Sequence, residues 1–428
     1  MSLCCDGSTG AATRYTVLLH RRIDVSALAI EHCYCYPAAS RVTGRLLLLS
    51  AESRTAGVLV QGTLVHPKRA ADLLLAVAQV VRARFHIPPA MLRRMLVEAD
   101  PVVTCGDQIL RFEGFSSCCG VYARADLLPA ALDAEWCHRG TTNVDFNEEM
   151  RQALACVRDA DPIGLRLSGD AFSLLAGERA IVERKVPLPL RWLKGFAEVQ
   201  TVLARMTPRL ELSGGVLRRL LLELPASWKG DAWLQPVAGG VRLSSTTGAV
   251  RVGGAERLRV LLPLARHASS ACCFADEQTG SCAWEIVTPD SRFTLALSPQ
   301  AWRGFSGEGQ TLASLAPSKQ LRNTAAQRAA LGLAGFDLHA QQYFARELPF
   351  APGLIEKLNR RLRDARQLKA SVQPDGQRAW VTSGAMQYLV SWDGAGSATC
   401  TCAWYARHRN SRGPCKHILA AASLEVGD

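Results

Sequence analysis

The stretch TCTCAWYARHRNSRGPCKHILAA, residues 399–421, holds Cys400 and Cys402 two apart and then, after twelve residues without a cysteine, Cys415 and His417 two apart. Three thiolates and one imidazole form the mixed sulfur and nitrogen set that zinc prefers, arranged as a tetrahedron. With all four positions filled by the chain, such a site is structural, because a catalytic zinc keeps one position for water. The two pairs need different local geometry. Residues i and i+2 of an extended strand face the same side, so Cys400 and Cys402, alternating with Thr399 and Thr401, present their sulfurs together. Residues two apart on a helix point about 200° apart, so Cys415 and His417 cannot both be mid-helix ligands. Gly413 and Pro414 predict a turn that keeps Cys415 outside a helix while His417 sits in its first turn. One structural zinc ion is therefore the expected cofactor. In such small modules metal affinity is folding energy, on the order of 10 kcal/mol.

The elements that must position these ligands come next. RAWVTSG and QYLVSW read as two strands with a turn between them, residues 399–402 as a third extended piece, and KHILAAASLEV from Lys416 as a short helix. Upstream, residues 354–372 read as a basic amphipathic helix, with Leu354, Leu358, Leu362 and Leu368 along one side, ended by the turn signal Pro374-Asp375-Gly376. Further back the chain mixes helices and strands. A helix is expected over residues 67–85, and another over PLPLRWLKGFAEVQTVLARM, where Trp192, Phe196, Val199 and Leu203 fall at three- and four-residue steps. Strand candidates lie at residues 164–168, 240–244, 249–252 and 292–297. The expected fold class is α+β: a large mixed N-terminal body followed by a small zinc-stabilised ββα module. Its expected divisions are residues 1–140, 141–353, a connecting helix at 354–373, and the zinc module at 374–428.

Cys-x-Cys, a spacer, then Cys-x-His running into a hydrophobic helix resembles the SWIM zinc finger, a strand-strand-helix module of bacterial proteins, plant transposase-like proteins and kinase regulators. The resemblance implies that Cys400, Cys402, Cys415 and His417 are the zinc ligands. DFNEEMRQAL, VPLPLRWLKGFAEVQ, GAVRVGGAERLRVL, WRGFSGEGQ and YFARELPF are similar to the long companion region of bacterial SWIM-finger proteins. Those proteins bind zinc, are inferred to bind DNA or protein, and often occur beside helicase or MoxR-type ATPase genes. The resemblance thus implies nucleic acid, DNA first, or a protein such as a helicase or MoxR-type ATPase as partner.

The loop between the ligand pairs is basic. Arg407, Arg409 and Arg412, with Lys416 just beyond, suit phosphate contact, and Trp404 or Tyr405 suits stacking on a base. The same cations also relieve the net −1 charge of a zinc ion with three thiolates, and the two rings also suit covering the metal core. The whole chain of 428 residues carries formal charge +12 and a pI of about 9.2, which favours anionic partners. Residues 356–428 hold eleven Lys/Arg against six Asp/Glu.

Other clusters carry less chemistry. Asn147 before Glu148 and Glu149 predicts a capped helix start rather than an acid/base pair. EHCYCY offers Cys33 and Cys35, a second Cys-x-Cys, with Cys137-His138 as a distant partner set for a second metal. Cys118-Cys119 and Cys272-Cys273 are neighbours, which face opposite sides of a strand and chelate poorly. The odd count of fifteen cysteines and an N-terminus without a signal-peptide pattern predict reduced thiols in the cytoplasm. No apolar run reaches the length a membrane span requires. No Walker, H-E-x-x-H or kinase motif occurs, so no enzyme is expected; an enzyme hidden in residues 1–350 is the alternative.

Overall fold

The computed structural model describes residues 33–36, 38–51, 57–85, 100–168, 184–187, 190–225, 227–228, 232–300, 303–305, 309–315, 324–346, 348, 359–393, 397–409 and 412–424. One sheet of eight antiparallel strands centres the body, in the order Thr207–Ser213, Ser270–Asp276, Ser281–Val287, Ser291–Leu297, Val121–Leu127, Ile109–Phe115, Val102–Gly106, Gly140–Asn143. Strands from either side of residue 140 are neighbours in it, since Ser291 to Leu297 pair with Leu127 to Val121. The regions 1–140 and 141–353 therefore share one sheet and one continuous apolar core. A five-stranded sheet built around Leu46–Ser50, Gly164–Ser168 and Val58–Leu64 packs beside it. The mixed helix and sheet architecture is that of the expected α+β class.

The helices form where period and caps agree. Pro67–Arg82 starts on a proline and buries Leu73, Leu74, Val77 and Val80; a proline at the first position loses no hydrogen bond there. Glu148–Cys156 is capped by Asn147, whose side chain accepts from the Met150 N–H at 2.9 Å. Leu190–Leu203 buries Trp192, Phe196, Val199 and Leu203, the residues that the three- and four-residue spacing selects. Pro187 ends a strand, Arg184–Pro187, before that helix, and Pro189 lies outside the described residues.

The sheet is buried on both faces, and the two faces are chemically different. One is apolar and packs on Pro67–Arg82, with Val81 against Gly114, where a Cβ would meet its methyl carbon at 2.5 Å. The other carries charge in fully buried positions and is covered by Leu190–Leu203 and the hairpin Ala334–Asp337/Gln342–Ala345. Arg346 donates from Nη1 to both Glu113 oxygens at 3.1 Å, Arg292 forks onto Asp337 at 3.0 and 2.8 Å, and Arg124 pairs with Asp126 at 2.9 Å. Arg124 also donates to the Phe336 carbonyl at 2.6 Å, and Phe336 N–H donates to Gln200 at 2.7 Å. Burial raises the Glu285 pKa, against the attraction of Arg292, Arg124 and His339. For Asp337 burial raises it too, but Arg124, the Ala340 N–H and Arg292 outweigh that and hold it below the usual range.

The C-terminal elements form the zinc module. Its four-stranded antiparallel sheet runs Lys369–Val372, Arg378–Ser383, Met386–Trp392, Ala398–Cys400. Helices Arg360–Ala365 and Lys416–Leu424 cover one face, and a second apolar core of Val381, Val390, Ile418 and Leu419 lies between. Here the expectation of one helix over 354–372 is corrected. The helix ends at Ala365, and Lys369–Val372 is a strand paired with Arg378–Ser383 from Lys369↔Thr382 to Val372↔Ala379. Pro374-Asp375-Gly376 is thus a hairpin turn. Gly376 takes φ +65°, and the Asp375 carboxylate accepts from the Gln377 and Arg378 N–H groups at 3.0 and 3.2 Å. Leu354 and Leu358 lie outside the described residues.

Removing one partner of a fully buried pair leaves an uncompensated charge, a cost of about 3–5 kcal/mol. Arg346→Met should therefore lower the unfolding free energy by about that much, read by urea denaturation. Arg346→Met combined with Glu113→Leu should recover a large part of the loss.

Candidate metal centre

Cys400, the last residue of its strand, faces the module core, and the strand then turns out so that Cys402 becomes the N-cap of the helix Ala403–His408. The backbone of Cys402 is still extended, φ −74° and ψ 152°, so the two sulfurs remain on one side. The Cys402 Sγ accepts the Tyr405 N–H at 3.3 Å, the role a serine oxygen plays at an ordinary helix start. A helix at Trp404 and Tyr405 is not anticipated by the reading of residues 403–412 as a loop. Gly413, at φ +69°, makes the turn before Cys415, which stays outside Lys416–Leu424, while His417 occupies that helix's first turn. The second pair thus has the geometry that its spacing requires.

The four side chains are all buried, and their donor atoms lie within 4.8 Å of one another. The His417 Nδ1 is 3.8 Å from the Cys400 Sγ and 4.0 Å from the Cys415 Sγ, so Nδ1 is the nitrogen turned into the cluster. Tyr388 stacks on the imidazole, ring centroids 4.2 Å apart and planes at 23°. Among the described residues this is the one group of three or more Cys, His, Asp or Glu donors so gathered. Cys33 and Cys35 lie on the strand Cys33–Tyr36, paired with Arg184–Pro187, and their side chains fall outside the described set, as does His32.

The electrostatics of the cluster ask for a cation. Cys415 is the first thiol to ionise, held low by the Cys400 S–H, against burial, with help from His417 and the Ile418 and His417 N–H groups. The Cys400 pKa is driven up by its hydrogen bond to Cys415 and by burial, and that of Cys402 by burial first, despite the Tyr405 N–H. Three thiolates in so small a buried volume repel one another, and a bound dication turns that repulsion into attraction. Donor types, donor count and burial all fit zinc.

Residues 388–424 match the family model of the SWIM zinc finger. The cluster is the site of one structural zinc ion, held by Cys400, Cys402, Cys415 and His417. Comparison with curated proteins gives no match. Among solved structures, the Proliferating Cellular Nuclear Antigen from Entamoeba histolytica is similar over 56% of this chain and 99% of that chain, at 8% identity and a TM-score of 0.38. That likeness is too slight to carry any functional statement.

The basic residues of the finger are placed unevenly. Arg407 is exposed on the helix Ala403–His408, and Arg409, exposed at φ +44°, ends it with its N–H on the Tyr405 carbonyl at 2.7 Å. Arg412 is exposed just before the Gly413 turn. Lys416 is half-buried and donates to the Ser383 Oγ at 3.0 Å, tying the ligand helix to the sheet. Trp404 is half-buried, its ring 4.8 Å beneath the Arg361 guanidinium and 5.0 Å from the His408 ring. Arg361 also donates to the Arg412 and Pro414 carbonyls at 2.8 and 2.9 Å. It braces the inter-ligand loop from the outside. Sequence reasoning places Arg361 only in a generic basic helix; its one signal is its position on the module's first helix.

The finger is also tied to the body. A Cβ at Gly413 would lie 2.1 Å from the Gly309 carbonyl oxygen, and Leu312 of the helix Gln310–Leu315 belongs to the module core. That helix is held by Glu198, which accepts from the Gln310 N–H, the Thr311 N–H and the Thr311 hydroxyl at 3.0, 2.9 and 2.8 Å.

The purified chain should hold one zinc per molecule by metal analysis, and Cys402→Ser should lose it. Hydrogen exchange in the variant should rise across residues 378–424 while the eight-stranded sheet keeps its protection. Because binding demands three thiolates, zinc retention should fall as pH drops from 7 toward 5, with protons competing for Cys400 and Cys402 first.

Proposed function

We propose that the zinc finger binds nucleic acid, DNA first, through the basic face formed by Arg407, Arg409 and Arg412 beside Trp404. The observation that supports this most directly is the crowding of cations. His408 has a pKa below the usual imidazole value, through desolvation first and then repulsion from Arg412, Arg407, Arg303 and Arg361. Four guanidiniums around one imidazole exceed what a zinc centre of net charge −1 draws to itself, and residues 359–424 carry ten Lys/Arg against three Asp/Glu. A polyanion releases that repulsion and its own counterions together. The role is binding rather than catalysis, because four protein donors leave zinc no position for a water nucleophile.

A second surface favours a second reading, an adaptor for a protein such as a helicase or MoxR-type ATPase. Trp380, 40% exposed, stands on the outer face of the finger sheet, opposite Leu389 on the neighbouring strand. Exposed aromatic rings of this kind anchor protein interfaces.

Fluorescence anisotropy with a labelled oligonucleotide across a potassium chloride series separates the two. Phosphate engagement should give a steep log–log loss of affinity with salt. Replacing Arg407, Arg409 and Arg412 together by alanine should abolish binding with zinc content unchanged, whereas Trp380→Ala should leave it intact. A flat salt response removes the nucleic-acid reading. His408 adds a pH signature. Its pKa is depressed in the free finger and rises when a polyanion offsets the four arginines, so binding takes up protons. Affinity should rise as pH falls from 7 to 6, and His408→Ala should flatten that response.

A further inference from the structure

The two ring nitrogens of the buried His417 have different surroundings. Nδ1 is 3.8 and 4.0 Å from the Cys400 and Cys415 sulfurs. Nε2 is buried too and, among the described residues, has no hydrogen-bond partner. A metal-ligating histidine almost always donates its second N–H to a carboxylate, a carbonyl or water, which fixes the tautomer and the plane of the ring. That tether is missing among the described residues. What meets the imidazole instead is the face of Tyr388, with 4.2 Å between centroids and 23° between planes. The sheet puts it there. Tyr388 pairs with Val381 and lies two residues from Val390, which pairs with Cys400. These four side chains therefore share one face of the sheet, the face on which Ile418 and Leu419 of the ligand helix Lys416–Leu424 complete the module core.

We propose that Tyr388 is a positioning residue of the zinc centre, holding the His417 imidazole by ring stacking in place of the usual hydrogen bond. A stacked imidazole cannot twist or tilt away from the sulfurs without giving up the contact between the two ring faces. The stack also distinguishes the loaded site from the empty one. A nitrogen that gives its lone pair to a dication leaves the imidazole electron-poor. The face of a phenol ring carries partial negative charge, so the attraction between the rings grows when metal binds. Tyr388 thus acts on metal affinity and not on the folded shape alone. The unanswered Nε2–H works in the opposite direction, since it loses water and gains no acceptor, and the stack offsets that loss on the ring that suffers it. The other side chains on this face do not share the role. Val381 and Val390 flank Tyr388 across and along the strands and offer bulk without a π face. The hydroxyl of Tyr388 has no part in it, because the contact is made by the ring.

The test measures zinc affinity of the full chain by chelator competition. Tyr388→Leu should weaken zinc binding about tenfold, the low end of the range for losing a histidine's supporting partner. Tyr388→Phe, which keeps the ring and drops the hydroxyl, should bind zinc like the unmodified chain. Lost core packing would also weaken zinc binding, because binding and folding are linked, so a second pair of variants separates the two roles. His417→Cys replaces the imidazole by a thiolate, which has no ring to stack. In that background Tyr388→Leu should cost little, so that the double-mutant cycle shows a coupling of about tenfold. An equal loss in both backgrounds would overturn the proposal and leave Tyr388 as core packing. Should His417→Cys fold poorly, the cobalt(II)-loaded chain decides the matter. Its visible d–d absorption should shift in Tyr388→Leu and stay in place in Tyr388→Phe and Val390→Ala. A Tyr388→Leu spectrum that superimposes on that of the unmodified chain, or a Val390→Ala shift of equal size, would overturn the proposal. Nitrogen-15 NMR of the zinc-loaded chain should show metal on Nδ1 of His417 and a proton on Nε2. Metal on Nε2 would abolish the orphaned N–H and overturn the proposal as well.

Discussion

The repulsion among three buried thiols is the constraint around which the C-terminal module is built. Cys400, Cys402 and Cys415 sit within a few ångströms of one another and of His417, in a core that solvates no anion. Without a dication Cys415 ionises first, an ordering set by its hydrogen bond from Cys400 and, at Cys402, by burial. With zinc bound, the same crowding becomes the cross-link that joins the last strand, the helix Ala403–His408 and the helix Lys416–Leu424. Two of the ligands also end their helices. The Cys402 sulfur caps one, and Cys415 receives N–H groups from the start of the other, so each thiolate is favoured by the positive helix end it closes. The small apolar core of Val381, Val390, Ile418 and Leu419 then packs around a preset frame.

The body meets the same problem, buried charge, in the opposite way. Its central sheet buries Glu113, Arg124, Asp126 and Arg292; Arg124 pairs with Asp126 on its own strand, and the covering segment brings Arg346 to Glu113 and Asp337 to Arg292. The hairpin is fixed to the sheet by charge as well as by its buried Phe336, Leu338 and Phe344. Isolated buried pairs add little stability over a hydrophobic core of equal volume, but a face already carrying Glu113 and Arg124 accepts only a cover bearing their partners. That makes the network a device of register, holding residues 334–346 over one set of strands.

Much of the metal centre was legible in the chain, because ligand type and i, i+2 spacing constrain both the ion and the local backbone. The helices at Pro67 and Leu190 and the strands at Gly164 and Gly240 were legible for a similar reason: each has a local period or cap that survives folding. What was not legible depended on distant partners. Residues 369–372 have the composition of a helix continuing from Arg360, yet they pair with Arg378–Ser383, because the Asp375-Gly376 turn brings a strand of the right alternation alongside. Tertiary pairing outweighs a propensity difference of a few tenths of a kcal/mol per residue. The brace by Arg361 was hidden likewise, since nothing in RRLRDAR distinguishes the one guanidinium that reaches the Arg412 and Pro414 carbonyls. The shared sheet across residue 140 was invisible for a simpler reason: strand order across a sheet is not written in strand order along the chain.

The seam between body and finger follows from these constraints. The inter-ligand loop has to turn sharply at Gly413 to bring Cys415 back to the zinc, and a Cβ at Gly413 would lie 2.1 Å from the Gly309 carbonyl oxygen, while one at Gly309 would meet the Glu198 carboxylate at 2.8 Å. Gly309 in turn begins the short helix whose first N–H groups are held by Glu198, a residue of the aromatic-lined helix Leu190–Leu203 in the body's core. One line of contact thus runs from the zinc ligands through Gly413 and Gly309 to Glu198, and Leu312 on that helix completes the finger's own apolar core. The finger is not a bead on a tether in this arrangement. Its basic loop is held against the body through the Gly413–Gly309 contact and the Leu312 side chain.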